Sequence, residues 1–402
     1  MDDDLVSENY QEKILVTGGA IGDIEIILAA KELGYFVITS GNQPDDPGHI
    51  HSDLYVQADY TDVTALVKIC ISYDVCAIVP SAHDLAAIAA AEVAFELGLP
   101  GHDSPEISRQ IHDKSSLRRL WARKGWRIPQ FHSSTNLFSL IFNSMFLQMP
   151  LIIKPNGLTG GTGISTAANK YELLRSIQNA YQQPGGRGVI VEEFLQGTNH
   201  GLTCLLENQK IVFLAYDDEF HIYDPFRVSA TTFPSSHSLC NISSLIKEIE
   251  SFAHEMKLVN GIFHTQFLMT DSGPILLEAC RRTPGDAYTK FVSEAYNFDY
   301  AKDIVLGFAG RPLNSYLNSR ELRKGTFIGR FILMPTKSGI FEQILSSELP
   351  RLLWKSDFRK SGEAIDDHRK WTAQIFIFES SDERLDENYY RNLTKVTRVL
   401  VR

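Results

Sequence analysis

An α/β fold in three parts follows from three features of this 402-residue sequence. Short apolar runs alternate with helical patterns over the first hundred residues. A strand ending in Lys154 runs straight into a glycine-rich loop, and a turn at Asp271-Ser272-Gly273 folds two strands into a hairpin with a polar face. At ~100–200 residues per domain, the length accommodates two or three domains. The composition, 44% hydrophobic, 10% aromatic and 22% charged, is that of a globular chain and argues against a fibrous repeat or extensive disorder.

The first strand is KILVT (13–17), which ends at Gly18-Gly19. A helix follows, with Ile24, Ile27, Leu28 and Leu33 at helical spacing, and it closes near Gly34. YFVIT (35–39), LYVQA (54–58) and CAIVP (76–80) continue the alternation, which predicts a parallel sheet covered on both faces. Residues 1–110 therefore read as a Rossmann-like domain. Its glycine turn, Thr17 to Gly22, misses the G-x-G-x-x-G register, and no acidic residue closes the second strand at Thr39-Ser40. A nicotinamide dinucleotide is disfavoured, and a tight strand-to-helix turn is the simpler account.

The second part, residues 111–310, has an α+β pattern, with a subdomain at about 129–190. It opens on a basic helix, KSSLRRLWARKG, and contains strands LIIKP and VIVEEF, a helix at 170–181, strands near 202–216 and a helix near 242–257. The third part, 311–402, shows strands TFIGRFIL and AQIFIF and ends in an amphipathic helix expected from Asp386 to Val399.

Charge and cysteine usage narrow the function. Thirty-nine Lys and Arg against 49 Asp and Glu give a net charge of −10, unlike the broad basic footprint of a duplex-binding protein. No nucleic-acid partner is expected, although a local basic pocket can still hold a nucleotide. Five cysteines without a C-x-x-C pair read as reduced thiols. An acidic start without a basic n-region and the lack of any stretch of ~20 apolar residues lead us to expect a cytoplasmic chain with no membrane association.

Lys154 is followed at once by Pro155-Asn156-Gly157-Leu158-Thr159-Gly160-Gly161-Thr162-Gly163. Glycines at this density give backbone N–H groups the freedom to close over polyphosphate oxygens beside a fixed lysine charge. The G-K-[ST] of a Walker A loop is missing. In the hairpin, taking Ser272 as the centre pairs Gln266 with Glu278 and His264 with Cys280. Alternation places these four on one face and Phe267, Met269, Ile275 and Leu277 on the other. Cross-strand Cβ atoms lie ~4.5–5.5 Å apart, so Gln266 and Glu278 could share one cation. Glu278-Ala-Cys280 runs directly into Arg281 and Arg282.

Four segments in this order, HDKSSLRRLWARKGWRIPQF, LIIKPNGLTGGTGIS, VIVEEFLQG and GIFHTQFLMTDSGPILLEACRRTPGD, resemble the ATP-grasp superfamily of carboxylate–amine (or thiol) ligases over essentially the whole chain. The branches most similar are those of biotin carboxylase, phosphoribosylglycinamide formyltransferase and amino-acid ligases. The resemblance implies a Rossmann-like pre-ATP-grasp domain, an ATP-grasp clamp of two subdomains and a small C-terminal α+β domain. It implies ATP and Mg²⁺ (or Mn²⁺) as cofactors, small-molecule carboxylate and amine substrates, and an ADP-forming reaction through an acyl phosphate. The alternative it leaves open is a degenerate, non-catalytic ATP-binding module. Homodimers are common in that family.

Residue by residue, Lys114 and Lys154 match the two phosphate-holding lysines. Gly160, Gly161, Thr162 and Gly163 match the phosphate lid. Glu192, Glu193, Phe194 and Leu195 match the hinge beside adenine, with backbone groups of 193–195 reading the base edge and Glu192 accepting from the amino group. Asn199 stands where the family has a ribose-binding glutamate. Glu278 matches a metal-binding glutamate, while Gln266 and Cys280 replace a glutamate and an asparagine. Gln266 can still offer a carbonyl oxygen, whereas a thiol suits Mg²⁺ poorly. Arg282 matches the arginine at the transferring phosphoryl group. Arg281 is assigned to substrate carboxylate or γ-phosphate, and Asp286 to holding the arginines or the amine. Arg227, His221 and His237 are candidates to face the substrate.

Overall fold

The computed structural model describes residues 11–158, 160–186, 188–313, 323, 325–347, 350–381 and 385–402. Thr159 of the glycine loop and the first ten residues lie outside that set. The N-terminal sheet is parallel, as its apolar runs require, in the order β3-β2-β1-β4. Its strands are β1 (Lys13–Val16), β2 (Phe36–Gly41), β3 (Leu54–Gln57) and β4 (Val75–Val79). Helices α1 (Ile24–Glu32), α2 (Val63–Tyr73) and α3 (Asp84–Leu97) connect and cover it.

The turn after β1 has a definite structure. Asp23 accepts from Ala20 N at 3.0 Å and Ala82 N at 3.1 Å, so the chain supplies its own carboxylate there. A Cβ on Gly18 would lie 2.4 Å from Asp23 Oδ2, which accounts for glycine at that position.

Helices α4 (Pro105–His112) and α5 (Lys114–Arg123) lead into a second, four-stranded sheet. Its strands are β5 (Phe131–Ser134), β6 (Leu151–Pro155), β7 (Ser165–Ala167) and β8 (Val189–Glu193), in the order β5-β8-β6-β7. Helices α6 (Leu137–Ser144) and α7 (Lys170–Tyr181) close this lid around Leu140, Leu151, Ile153, Leu173, Ile177 and Val191.

The largest sheet has eight strands. Its first five are β9 (Thr198–Glu207), β10 (Lys210–Phe220), β11 (Ala230–Phe233), β12 (Gly261–Thr270) and β13 (Gly273–Cys280). Helix α8 (Ser243–Glu255) covers one face, with α5, through a core containing Trp121, Leu202, Phe252, Phe263 and Phe267. Helices α9 (Tyr288–Tyr296) and α10 (Tyr300–Phe308) cover the other and join it to the Rossmann-like layer.

After residue 326 come β14 (Phe327–Leu333), β15 (Gly339–Ser346), β16 (Arg351–Asp357), β17 (Ala364–Ile365), β18 (Gln374–Ser380), α11 (Glu387–Val396) and β19 (Thr397–Val401). The last helix expected from sequence is cut short. Thr397 leaves helical geometry, and the β-branched run Thr-Arg-Val-Leu-Val pairs with β15 as a strand. Strands β14, β18 and β16 extend the central sheet beyond β11, giving β13-β12-β9-β10-β11-β14-β18-β16. Among the described residues no helix is long and apolar enough to cross a membrane.

Candidate active site

A cleft of about 400 Å³ opens between the lid and the central sheet, and most of the residues singled out above meet there. Lys154 ends β6 as expected. Its Nζ lies 2.7 Å from Glu192 Oε2, and the other carboxylate oxygen is bonded by Arg118 Nε of α5. Glu192 is 1% exposed, Arg118 3% and Lys154 14%. Burial alone would raise the Glu192 carboxyl. The charges of Arg118 and Lys154 prevail and hold it down at about 2. This corrects the role expected for Glu192: both its oxygens are engaged by cations, so its carboxylate is not free to serve a base amino group. The hinge amides are also partly committed, since Glu193 N donates to Gln130 O at 3.0 Å and Phe194 N to Pro150 O at 2.9 Å.

The glycine loop folds over the mouth. Gly157, Gly160, Gly161 and Gly163 all have positive φ, a conformation that favours glycine. Gly160 and Gly161 line the cleft, whereas Thr162 and Gly163 continue the same turn outside its lining. Lys114 Nζ bonds Leu158 O at 3.1 Å and stands 3.6 Å from Glu278 Oε2, between loop and hairpin. Elsewhere in the cleft lining, Asn199 Nδ2 and His221 Nδ1 are 3.5 Å apart. Burial lowers His221, keeping it neutral, although Asp224 and Glu387 oppose the shift.

The hairpin brings Gln266 opposite Glu278 and His264 opposite Cys280, with an irregularity that the sequence does not announce. The turn is two residues, with Thr270 paired to Gly273, and a bulge beside Gln266 restores the expected partners. The bulge also exchanges two leucines: Leu276 enters the core, while Leu277, expected inside, lines the cleft. Cys280 is buried, and burial pushes its thiol up to about 11, so it is a protonated, poor ligand for a hard cation. His264 is pushed down to about 3 by burial and by the positive charges of Arg282 and Arg330.

The two arginines, just beyond the end of β13, turn to different surroundings. Arg282 faces the cleft and meets Asp84, at the start of α3, with Nε at 2.7 Å and Nη2 at 2.6 Å. Against burial, the charge of Arg282 holds Asp84 down at about 2. Arg281 does not reach the cleft, which corrects its assignment to substrate or phosphate. Its Nε pairs with Asp103 at 2.8 Å, Nη2 donates to Val259 O at 2.6 Å, and Nη1 donates to Ile262 O. It is a buried structural ion pair.

Of the other candidates, Arg227 lines the cleft but donates to Arg369 O at 2.6 Å and Thr372 Oγ1 at 3.0 Å. His237 packs edge-on against His200, outside the cleft lining. Asp286 lines the cleft, and its carbonyl accepts from Arg330 Nη1 at 2.8 Å.

Three cleft residues escaped sequence reasoning. Glu219, on β10, accepts from Gln266 Nε2 at 2.6 Å, and burial raises its carboxyl to about 7. Arg330, on β14, stacks over Tyr288 with its guanidinium 5.1 Å from the ring centre. Tyr288 Oη bonds the wholly buried Asp217. The alternation in Tyr-Asp-Asp-Glu-Phe (216–220) was the available signal for Glu219; no local pattern marks Arg330 or Tyr288.

Residues 112–287 match the family model described as phosphoribosylglycinamide synthetase, ATP-grasp (A) domain. They form an ATP-grasp domain. Among curated relatives, the phosphoribosylamine–glycine ligase of Methanococcus maripaludis is 25% identical over 295 residues, covering 66% of each chain. Alignments with that protein and two further relatives span between 49% and 66% of their lengths. Among solved ATP-grasp structures, the L-amino acid ligase from Bacillus licheniformis superposes with a TM-score of 0.80 at 17% identity, covering 98% of this chain and 99% of that one. Phosphoribosylglycinamide synthetase from Anaerococcus prevotii gives 0.75 at 16% identity, covering 98% and 100%. At such identities these superpositions establish the fold.

Proposed function

We propose that this ATP-grasp chain is an ADP-forming ligase, which phosphorylates a small carboxylate and passes the acyl group to an amine. The observation that carries this reading is the arrangement of charge along one cleft. Lys154, Lys114, the Glu278–Gln266 pair of the hairpin, Arg282 and Arg330 all line it, with Lys114 only 3.6 Å from Glu278. Such a gathering of cations around one carboxylate and one amide suits the β/γ end of a nucleotide with an anionic substrate beside it.

The base rests against the hinge, where the Leu195 N–H and the carbonyls of 193–195 read its edge. Asn199 and His221 meet the ribose hydroxyls. Gly160, Gly161 and the neighbouring backbone close over the phosphates, excluding water from the reacting end. Lys154 and Lys114 neutralise phosphate charge, and Arg282, oriented by Asp84, stabilises charge on the transferring phosphoryl group.

Gln266 and Glu278 fit a hard divalent cation, because they are cross-strand neighbours on the cleft face, with a carboxylate and an amide carbonyl to offer. Mg²⁺ held by these two residues would supply positive charge to offset that of the phosphates. The carboxylate substrate is oriented by Arg330 and polar neighbours, and its oxygen attacks the γ-phosphorus to give an acyl phosphate and ADP. The amine then displaces phosphate. Catalysis of this kind is positioning and electrostatics, with no protein nucleophile.

The test is incubation with ATP, Mg²⁺, pooled carboxylates and hydroxylamine. ADP, phosphate and a hydroxamate are expected. AMP and pyrophosphate would overturn the mechanism. Nucleotide binding without product from a broad pool would favour a non-catalytic module, for which Cys280 at a metal-facing position is the motivating observation.

A further inference from the structure

Beside the cleft-lining Glu219 and Gln266, strand β9 carries a gap where a side chain is missing. Gly201 lies between Gln266 of β12 and Asp217 of β10, its partners on either side. A Cβ there would lie 3.0 Å from Asp217 Oδ2, 3.0 Å from Glu219 Oε1 and 3.2 Å from Asp217 Oδ1. Carboxylate oxygens from two residues thus converge on the space a side chain would fill. Asp217 is completely buried, and its Oδ1 has no hydrogen-bond partner among the described residues. Across the gap, Gln266 Nε2 donates to Glu219 Oε2 at 2.6 Å. An amide nitrogen committed to Glu219 leaves the Gln266 carbonyl oxygen as the end available on the hairpin side, where Glu278 is its cross-strand neighbour. Arg330 does not fill the gap with these donors: its Nε goes to Thr231 Oγ1 at 2.9 Å and its Nη1 to Asp286 O.

We propose that Glu219 reaches across the gap at Gly201 to supply the second carboxylate of the divalent-cation site, completing a set with Glu278 and the Gln266 carbonyl oxygen. The negative charge that position 266 lacks is provided from a strand two places away. Two carboxylates and an amide oxygen are hard donors suited to Mg²⁺ or Mn²⁺, with remaining positions for phosphate oxygens and water. A larger residue at 201 would fill the gap between strands. Among the described residues no three His, Cys, Asp or Glu side chains are gathered into a metal cage of their own, in keeping with a site that includes an amide and is completed by a nucleotide.

The inference rests on the cleft holding a metal-bound nucleotide, and the experiment separates the two. Mn²⁺ binding to the full chain is followed by electron paramagnetic resonance in the presence of ADP, for the wild type, Glu219→Gln, Glu278→Gln and the double variant Glu219→Gln/Gln266→Glu. ADP binding without metal is measured in parallel with a fluorescent ADP analogue. Glu219→Gln is expected to weaken Mn²⁺ binding at least tenfold, comparably to Glu278→Gln, with metal-free ADP binding unchanged. Returning a carboxylate at position 266 in the double variant is expected to recover most of that loss. Mn²⁺ affinity within twofold of wild type in folded Glu219→Gln, with ADP still bound, overturns the metal assignment alone. A wild type that binds no ADP overturns the nucleotide reading of the cleft and this assignment with it.

Discussion

Replacing Glu192 by Gln tests the buried charge cluster beneath the cleft. The carboxylate joins Arg118 on α5 to Lys154 on β6, and all three are largely removed from solvent. Held at about 2 against an ordinary 4.5, it favours the folded state by roughly 3 kcal/mol at neutral pH, at ~1.4 kcal/mol per tenfold in proton affinity. An independent argument gives a similar size. Removing one partner of a buried ion pair costs about 3–5 kcal/mol, because the remaining charge is left uncompensated.

The sign follows from a folded-state value below the unfolded one. The contribution is fully present above about 4.5 and is lost as pH falls from there through about 2. Urea unfolding of wild type and variant between pH 8 and the lowest pH at which both remain folded should therefore show a constant gap of about 3 kcal/mol down to pH 5, narrowing below it. A gap under about 1 kcal/mol at pH 7, or one that widens in acid, would refute the argument.

Three further outcomes follow from the geometry. Lys154→Ala should lower ATP turnover by about 100-fold or more, the order expected when a donor facing transition-state charge is removed; wild-type turnover would leave this lysine only its pairing with Glu192. Arg281→Met should destabilise the chain by about 3–5 kcal/mol in urea, since it strands buried Asp103, while metal-free ADP affinity stays near wild type; an ADP affinity loss without destabilisation would return Arg281 to the cleft. Gly161→Ala should raise the KM for ATP in steady-state kinetics by about tenfold, because the residue has φ +75° and the new Cβ would lie 2.6 Å from Phe226 O. An unchanged KM would mean that the loop does not close in this form over the nucleotide.

Much of the architecture was legible because it is written in local periodicity. Parallel strands β1 to β4 are continuous apolar runs, and the helix at 170–181 carries its own Asn169 cap. The Gln266–Glu278 pairing was legible too, although the turn is centred between Asp271 and Ser272 and a bulge restores the register. That bulge has no residue signature, which is why Leu276 and Leu277 exchanged places.

Other errors had a readable cause. Carrying strand alternation past Cys280 would have placed Arg282 with Glu278 and turned Arg281 away. The same rule applied to β10 would have separated Asp217 and Glu219 from Asp218. What no local rule could supply is long-range closure: Arg118 against Glu192, Asp84 against Arg282, and Arg330 arriving from β14 are meetings between parts distant in sequence.

The pairing of β11 with β14 bears on how such a chain can change over time. Register runs from Ala230–Phe331 to Phe233–Ile328, so the last strands are not a detachable appendage. A chain ending near 310 would leave a buried strand with an open edge, and such edges pair with other chains. It would also lose Arg330 from the cleft floor. On the function proposed above, the nucleotide end would be furnished by residues 114 to 282, whereas Arg330 comes from a strand beyond 326. Substitutions around β14 would then reshape what is acted upon while leaving the phosphate-handling residues untouched, giving one cleft two regions that can diverge at different rates.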